Sequence, residues 1–297
     1  MKKALCIAFC ILIAVSLFGC GMNSVKEVNL RDKLSSLMVT DDALGIKGKY
    51  SLLSDITDGS IDNELAGTWK TADGETTYTF NEDGTAKEVS SYGESEIKYT
   101  CLTLGGYKVI CEEVGMESTD ADGNTTTSTV LSYSTYNIDN DALYFTNVED
   151  TTNEIMDSAQ YALMTMYRAD ESGSIEASTS GNRISLDSFA GTWTCEKGEI
   201  TIDGKTLKLG EDVYNISIND AGKLVAEKDG KATEYSANIS VKKQYENEDK
   251  TQSTETVALG LYFTGADDND KPNLESVLDD WGDFMPNYYS GTFDFKG

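Results

Sequence analysis

The string "LAGTW" runs from Leu65 to Trp69, and "FAGTW" runs from Phe189 to Trp193. The two tryptophans stand 124 residues apart. A second string repeats in the same order: "LYFT" at Leu143–Thr146 returns at Leu261–Thr264, an offset of 118. Two anchors in one order at nearly one offset mark a tandem duplication, and the period is that of a whole domain rather than of a solenoid repeat. The phrase therefore opens each of two units, residues 63–169 and 188–297, joined by a Ser/Gly/Glu-rich linker over 170–187.

Each unit reads as short β-runs broken by turn residues. "TTYTFNEDGTAKEV" (Thr76–Val89) alternates, turns through Asn81–Gly84 and returns as a second strand. "EIKYTCLTLGGYKVICEEV" (Glu96–Val114) is a hairpin about Gly105-Gly106. "TSTVLSYSTYNI" and "ALYFTNV" follow, and "YALMTMYR" closes the run at Arg168. Eight or so strands in roughly a hundred residues is the density of a small barrel or sandwich. The chain has only 2 prolines, so its turns rest on Gly, Asn and Asp, which reach positive φ at little cost. The expected fold is mainly β: two tandem small antiparallel β-barrels, with a short helix in the second before its last strand, "YYSGTFDFKG". That helix is read from "DKPNLESVLDDWGDFMP", where Leu274, Val277, Leu278 and Trp281 fall at i, i+3, i+4 and i+7, after Pro272 and before Gly282. It should lie across a barrel end or against the other unit. Copy one has the shorter "VEDTTNEIMDSAQ" at this place, weaker as a helix.

The N-terminus reads as a processing signal. Lys2 and Lys3 precede an apolar run, Ala4–Phe18, too short for an ordinary spanning helix, which ends at "LFGC", Leu17–Cys20. This resembles the lipobox of bacterial lipoproteins; Leu17, Gly19 and Cys20 fit the pattern and Phe18 departs from it. The resemblance implies a signal peptide over 1–19, a diacylglyceryl-modified Cys20, and a chain anchored by lipid on the outer face of the cell membrane. Residues 20–62 follow as a tether. "VNLRDKLSSLM" has the makings of a short helix, with Leu30, Leu34 and Leu37 on one side, and loose order is expected for much of the remainder.

Gly67-Thr68-Trp69 and Gly191-Thr192-Trp193, each opening a β-rich unit of this strand count, resemble the start of the lipocalin-like domains of bacterial lipoproteins. The resemblance covers most of 64–168 and 188–297 and implies an up-and-down barrel whose tryptophan closes one end against a basic residue of the final strand. Copy one offers Arg168 for that role and copy two offers Lys296. The barrel-closure set is then Gly67, Trp69, Arg168, Gly191 and Trp193. Lipocalins bind small apolar molecules in an open cup, whereas a small barrel can be filled by its own side chains; both readings stand at this point.

Three cysteines remain beyond Cys20: Cys101, Cys111 and Cys195. Cys101 and Cys111 flank the Gly105-Gly106 turn and are a candidate disulfide. A three-residue loop would set them opposite one another, and a two-residue loop would put them out of register.

The formal charge is −27, and loss of residues 1–19, with two lysines and no acids, takes it to −29. That balance excludes nucleic acid as a partner and disfavours anionic lipid surfaces. The chain has no histidine, which removes His-based triads, His metal sites and the commonest general base. No P-loop, G-x-S-x-G or C-x-x-C pattern occurs, and with 51 acids a carboxylate pair carries no information by itself. Two acidic clusters, Asp120–Asn124 and Asp267–Asp270, lack the spacing of a known calcium loop, so neither metal nor cofactor is expected. The sequence thus points to a non-enzymatic, membrane-anchored surface lipoprotein whose barrels bind a small molecule or peptide. The alternative is an interaction module of the cell envelope, with solid barrels and an envelope protein as partner. A carboxylate-based glycosidase is the weaker third reading.

Overall fold

The computed structural model describes residues 26–72, 74–90, 93–119, 125–151, 158–170, 172–175, 182–247, 252–267, 270–282 and 284–297. Strand β1 (Lys26–Val28) and helices α1 (Leu30–Leu37) and α2 (Asp41–Leu44) come first. Strands β2 (Gly67–Thr71), β3 (Thr77–Phe80), β4 (Thr85–Ser90), β5 (Gly93–Leu104), β6 (Tyr107–Thr119), β7 (Thr125–Asp139) and β8 (Ala142–Asn147) follow. Next are β9 (Ser158–Ala162), β10 (Met164–Arg168) and β11 (Asn182–Ile184). The second unit holds β12 (Gly191–Cys195), β13 (Gly198–Asp203), β14 (Thr206–Leu209), β15 (Asp212–Ile218), β16 (Leu224–Lys228), β17 (Lys231–Tyr245), β18 (Ser253–Thr264), β19 (Asp279–Asp280) and β20 (Tyr288–Phe295). Barrel one closes as β2 to β8 in sequence order, with β10 between β8 and β2. Barrel two closes as β12 to β18 in order, with β20 between β18 and β12. Both are closed eight-stranded antiparallel barrels, so nearly all ladder groups are satisfied within each wall.

The repeated phrase builds the same closure twice. The indole Nε1 of Trp69 donates to the Leu65 carbonyl at 2.7 Å, and that of Trp193 donates to the Phe189 carbonyl at 2.7 Å. Both indoles are fully buried. The glycines at Gly67 and Gly191 adopt φ of 121° and 132°, a region that L side chains avoid. A Cβ at Gly67 would lie 2.7 Å from the Arg168 guanidinium, and one at Gly191 would lie 2.3 Å from the Phe295 ring.

The cation differs between the copies. Arg168 pairs in register with Trp69, stacks 4.2 Å from the ring centroid, and donates to the carbonyls of Ala66 and Glu64. In barrel two the residue in register with the tryptophan is Phe295. Lys296, one residue on, faces outward and pairs with Glu199 at 2.8 Å. The cation comes instead from Arg31 on α1. Its guanidinium lies 5.8 Å from the Trp193 ring and 5.1 Å from Phe295, and it donates to the carbonyls of Asp187 and Ala190.

Arg31 reaches that position because the segment before barrel one is packed rather than loose. Leu30, Leu34 and Leu37 are buried, in one cluster with Ala142, Tyr144 and Tyr167 of barrel one and Trp193 of barrel two. Asn29 caps α1, the Ser188 hydroxyl accepts from the Leu30 amide, and β1 pairs parallel with β11 of the linker. Further on, Leu44 and Ile46 pack on the outer wall of barrel one with Leu102, Val109 and Cys111, and Ser60 bridges to Cys101. The expected tether over 20–62 is therefore corrected from residue 26 onward: three leucines on one helix face find apolar partners on both barrels, and burial outweighs chain entropy.

Three further expectations change. The closing segment "YALMTMYR" is split at Leu163. Met164–Arg168 closes barrel one, while β9 pairs with residues 240–244 of β17, the edge that β16 leaves uncovered beyond Tyr235. The helix expected over Leu274–Trp281 shrinks to a 3-10 turn, Glu275–Val277. Leu274, Val277 and Leu278 are buried in the barrel-two core, but Trp281 is 43% exposed. Finally, Cys101 and Cys111 form no disulfide. Gly105 and Gly106 both have positive φ and make a two-residue hairpin turn, so Leu104 pairs with Tyr107 and Cys101 with Ile110. Cys101 then faces the lumen and Cys111 the outer wall, and both are free.

Replacing Arg168 by Met should destabilise barrel one, and Arg31→Met barrel two, by about 1–3 kcal/mol each, from the lost cation–π contact and the two lost hydrogen bonds to backbone carbonyls. Lys296→Met should cost under about 0.5 kcal/mol. Hydrogen exchange resolved by barrel checks this: faster exchange in β12 and β20 is expected for Arg31→Met and not for Lys296→Met.

Candidate functional site

Strand alternation divides each wall into lumen-facing and outward residues, and the pairing register says which is which. Trp69 fixes the phase in barrel one. Tyr78 pairs with Trp69, Glu88 with Tyr78, and Ser95 with Glu88. Across the barrel, Glu112 pairs with Tyr99 and with Ser132, while Val114 pairs with Val130 and Met164 with Phe145. All of these face the lumen.

Burial along that face is graded. At the tryptophan end Phe80, Ala86, Ile97, Tyr99, Ile110, Leu143 and Met166 are buried. A polar clasp seals this end: the Asp62 carboxylate accepts from Tyr136 at 2.7 Å and Lys108 at 2.8 Å. Burial alone would raise the Asp62 carboxyl, but those hydrogen bonds outweigh it and hold it below its ordinary value. In the middle, Tyr78, Glu88, Glu112, Ser132 and Phe145 are half-buried. At the far end Val114 is 36% exposed, Val130 38% and Met164 36%. Barrel one is therefore closed at the indole end, and burial falls along its inward face toward the β6–β7 ribbon that carries Val114 and Val130 beyond the last β5–β6 pair, Lys98–Glu113.

Its floor is aromatic. Tyr78 stacks on Phe80 at 5.6 Å and meets Phe145 edge-on at 6.1 Å, and Phe80 meets Tyr99 at 5.2 Å. Above this floor stand two carboxylates. Burial, and then the neighbouring charge of Glu88, push the Glu112 carboxyl up to about 7. Burial, and then the charges of Glu112 and Glu88, push the Tyr78 phenol well above its ordinary value, so it stays protonated.

Barrel two is filled along its whole length. Its mouth is filled by the segment expected as a helix. Leu274, Val277 and Leu278 plug the lumen, and Asn273 is held by four hydrogen bonds, from Tyr214, from Tyr235, to the Ala226 carbonyl and to the Thr233 hydroxyl. The inward faces of β14 and β16 carry Leu207, Leu209, Leu224 and Ala226, where β4 and β6 carry Ala86, Glu88, Ile110 and Glu112.

Of the residues singled out in the sequence, Gly67, Trp69, Arg168, Gly191 and Trp193 gather at the closed ends, where they shape the barrels and line no opening. Cys20 and the Asp120–Asn124 cluster lie outside the described residues, as do residues 268 and 269 of the second cluster. Sequence reading missed Glu88 and Glu112, two acids among 51. The signal that finds them is their phase: both share the inward parity of Trp69. Comparison with known proteins returns no match: no family model fits this sequence, and neither a curated protein nor a solved structure matches it.

The raised Glu112 carboxyl has a consequence for stability. Its value in the fold lies above its ordinary 4.5, so its contribution is fully present below about pH 4.5 and is lost as pH rises through about 7. Glu112→Gln should match the wild type at pH 5 and exceed it at pH 8, by something on the order of 1–3 kcal/mol. Thermal melts at the two pH values check this; a variant equally shifted at both would show that Glu112 does not titrate in this window.

Proposed function

We propose that this chain is a non-enzymatic surface lipoprotein, anchored through Cys20, that holds a small molecule in the lumen of barrel one. The observation that carries the reading is the gradient of burial along that lumen, from a sealed indole to half-buried aromatic and acidic side chains, Tyr78, Phe145, Glu88 and Glu112. A cup with apolar walls and a few placed polar groups has the make-up of a small-ligand site. The Gly-x-Trp openings and the eight-stranded closure support a lipocalin-like identity, and the basic start, apolar run and "LFGC" support the lipid anchor. Cys20 precedes β1 by six residues, so the junction between the barrels would sit within about 20 Å of the lipid surface.

One observation favours the second reading, an envelope interaction module, for barrel two. That barrel is plugged at both ends, and its outer face presents Phe284, 83% exposed, and Trp281, which lies tilted against Phe284 and meets Tyr288 edge-on. Barrel one would then be the carrier and barrel two a docking domain for an envelope protein.

A neutral apolar dye, N-phenylnaphthylamine, should bind at one molecule per chain and lose binding when Val130 and Met164 are both replaced by Trp. Absence of binding, or binding that survives the double substitution, would count against the cup. Replacement of Cys20 by Ser should move the protein from the membrane fraction to the soluble fraction. Native mass spectrometry of protein purified from its own host reads the cargo directly.

A further inference from the structure

Where the outer wall of barrel two meets barrel one, the two enclose a cleft of about 270 Å³, lined by Ser236, Asn238, Tyr262 and Tyr288 from barrel two and by Glu75 and Thr165 from barrel one. At Tyr262 it adjoins a second hollow of about 510 Å³. Small-ligand sites run to about 300–1,000 Å³, and together the two hollows are of that size. The floor is shaped by a glycine. Leu259, Leu261 and Phe263 of β18 point into the barrel-two core, so Gly260 and Tyr262 face outward. A Cβ at Gly260 would lie 2.8 Å from the Tyr262 hydroxyl and 2.3 Å from Asn238 Oδ1. With only hydrogen there, the tyrosine leans back along its strand and turns a ring face to the cleft. Asn238 is in register with Gly260. Its Oδ1 is shielded from solvent and is one of two buried side-chain polar atoms, among the described residues, with no hydrogen-bond partner. The terminal torsion of asparagine is soft, so a modest turn of the amide presents that oxygen to a donor in the cleft.

The aromatic surface continues beyond Tyr262. Tyr288 stands diagonally across on β20, since Tyr262 pairs with Ser290 and Thr264 with Tyr288. Trp281 extends the row: its amide donates to the Tyr288 carbonyl, its ring meets Tyr288 edge-on at 6.0 Å, and its Nε1 donates to the Ser290 hydroxyl at 2.8 Å. Contiguous outward rings of this kind mark a binding surface. Ring faces attract the weakly positive C–H groups of a saturated ring. The polar groups beside them, the Asn238 amide and the Ser236 hydroxyl, are uncharged. Charges around the second hollow, Glu75, Lys223, Lys231 and Asp270, are of both signs and select neither anion nor cation. An extended peptide finds no strand to join, because β18 is already paired on both sides, with β17 and β20. A purely apolar ligand would leave Asn238 Oδ1 unpaired.

We propose that this row and cleft form a site for a neutral oligosaccharide: sugar rings stack on Trp281, Tyr288 and Tyr262, and hydroxyl groups of the innermost ring bond the Asn238 amide and Ser236. The site lies outside the barrel-one lumen and stands whether or not that lumen holds a ligand.

Calorimetric titration of the exported chain with cellotetraose, maltotetraose and chitotetraose tests this, with tetragalacturonate as the charged comparison. At least one of the neutral three should bind one per chain, at least about tenfold tighter than tetragalacturonate. Trp69 and Trp193 are buried, so a blue shift of tryptophan emission on binding reports Trp281. Trp281→Ala and Asn238→Ala should each weaken binding at least about fivefold. Asn238→Ala should also leave the melting temperature unchanged or raised, since it removes an unpaired acceptor, whereas a merely structural role would lower it. Val213→Ala, an exposed position on β15 outside the row, should alter affinity less than about twofold. Failure of all three neutral sugars to bind would overturn the inference while leaving the reading of barrel one untouched. Equal affinity for tetragalacturonate, or binding indifferent to both Trp281→Ala and Asn238→Ala, would overturn it as well. An emission shift with peptides of envelope proteins and none with the sugars would assign this face to a protein partner instead.

Discussion

A guanidinium from residue 31 lies over an indole at residue 193, and the arrangement of the whole molecule follows from that contact. Barrel two cannot complete its closed end from its own chain, because the position in register with Trp193 is Phe295. Its cation arrives on α1, which also buries three leucines between the barrels and carries the parallel β1–β11 pair. Strand β1 and helix α1 are thus bound to the start of the second unit before the chain enters the first. Barrel one returns the exchange through β9, which leaves its own unit to cover the edge of β17. An uncovered edge is a template for unwanted pairing, and here a strand from the neighbouring barrel occupies it. These crossings make the two units one body, and they tie barrel-two stability to contacts more than 150 residues apart, such as Leu30 to Ser188.

Much of this was legible in the sequence because it is local. Hairpins with Gly-Gly and Asn-Glu-Asp-Gly turns, the alternation around them, and the two repeated strings suffice for two β-barrels and their starting points. The leucine spacing of α1 was also readable. What covers those leucines was not, since the covering surface is assembled from two barrels that local pattern does not place. The plug residues of barrel two show the opposite failure. Leu274, Val277 and Leu278 have helical spacing, yet Pro272, Asn273 and the tight lumen hold them as a single 3-10 turn, where hydrogen bonds of Asn273 to Tyr235 and Ala226 replace those of a longer helix. The missing disulfide was a matter of one residue of register, decided by the number of residues in the Gly105-Gly106 turn. The choice between Lys296 and Arg31 likewise came down to one residue, since Phe295 rather than Lys296 faces the indole.

The copies share their beginnings and differ in one insert, and that difference separates their roles. Between the last two wall strands of barrel two, the chain folds back into its own lumen and seals it. At the same place in barrel one, the chain departs to pair with its neighbour. Duplication supplied two equal walls. Spending the insert on the junction in one copy and on a plug in the other leaves barrel two filled and barrel one without that plug.

The lumen residues follow the same division. Where the mouth is plugged, the inward positions of β14 and β16 are apolar, as a packed core requires, and the one inward lysine, Lys228, pairs with Asp212 at the strand end. In barrel one the matching strands carry Glu88 and Glu112, and burial, then the charge of Glu88, raise the Glu112 carboxyl. Packing alone would replace both with aliphatic residues, and the second barrel shows that this wall accepts them. A local arrangement that works against stability, present in one copy and absent from the other, is where a task other than packing is expected to leave its trace.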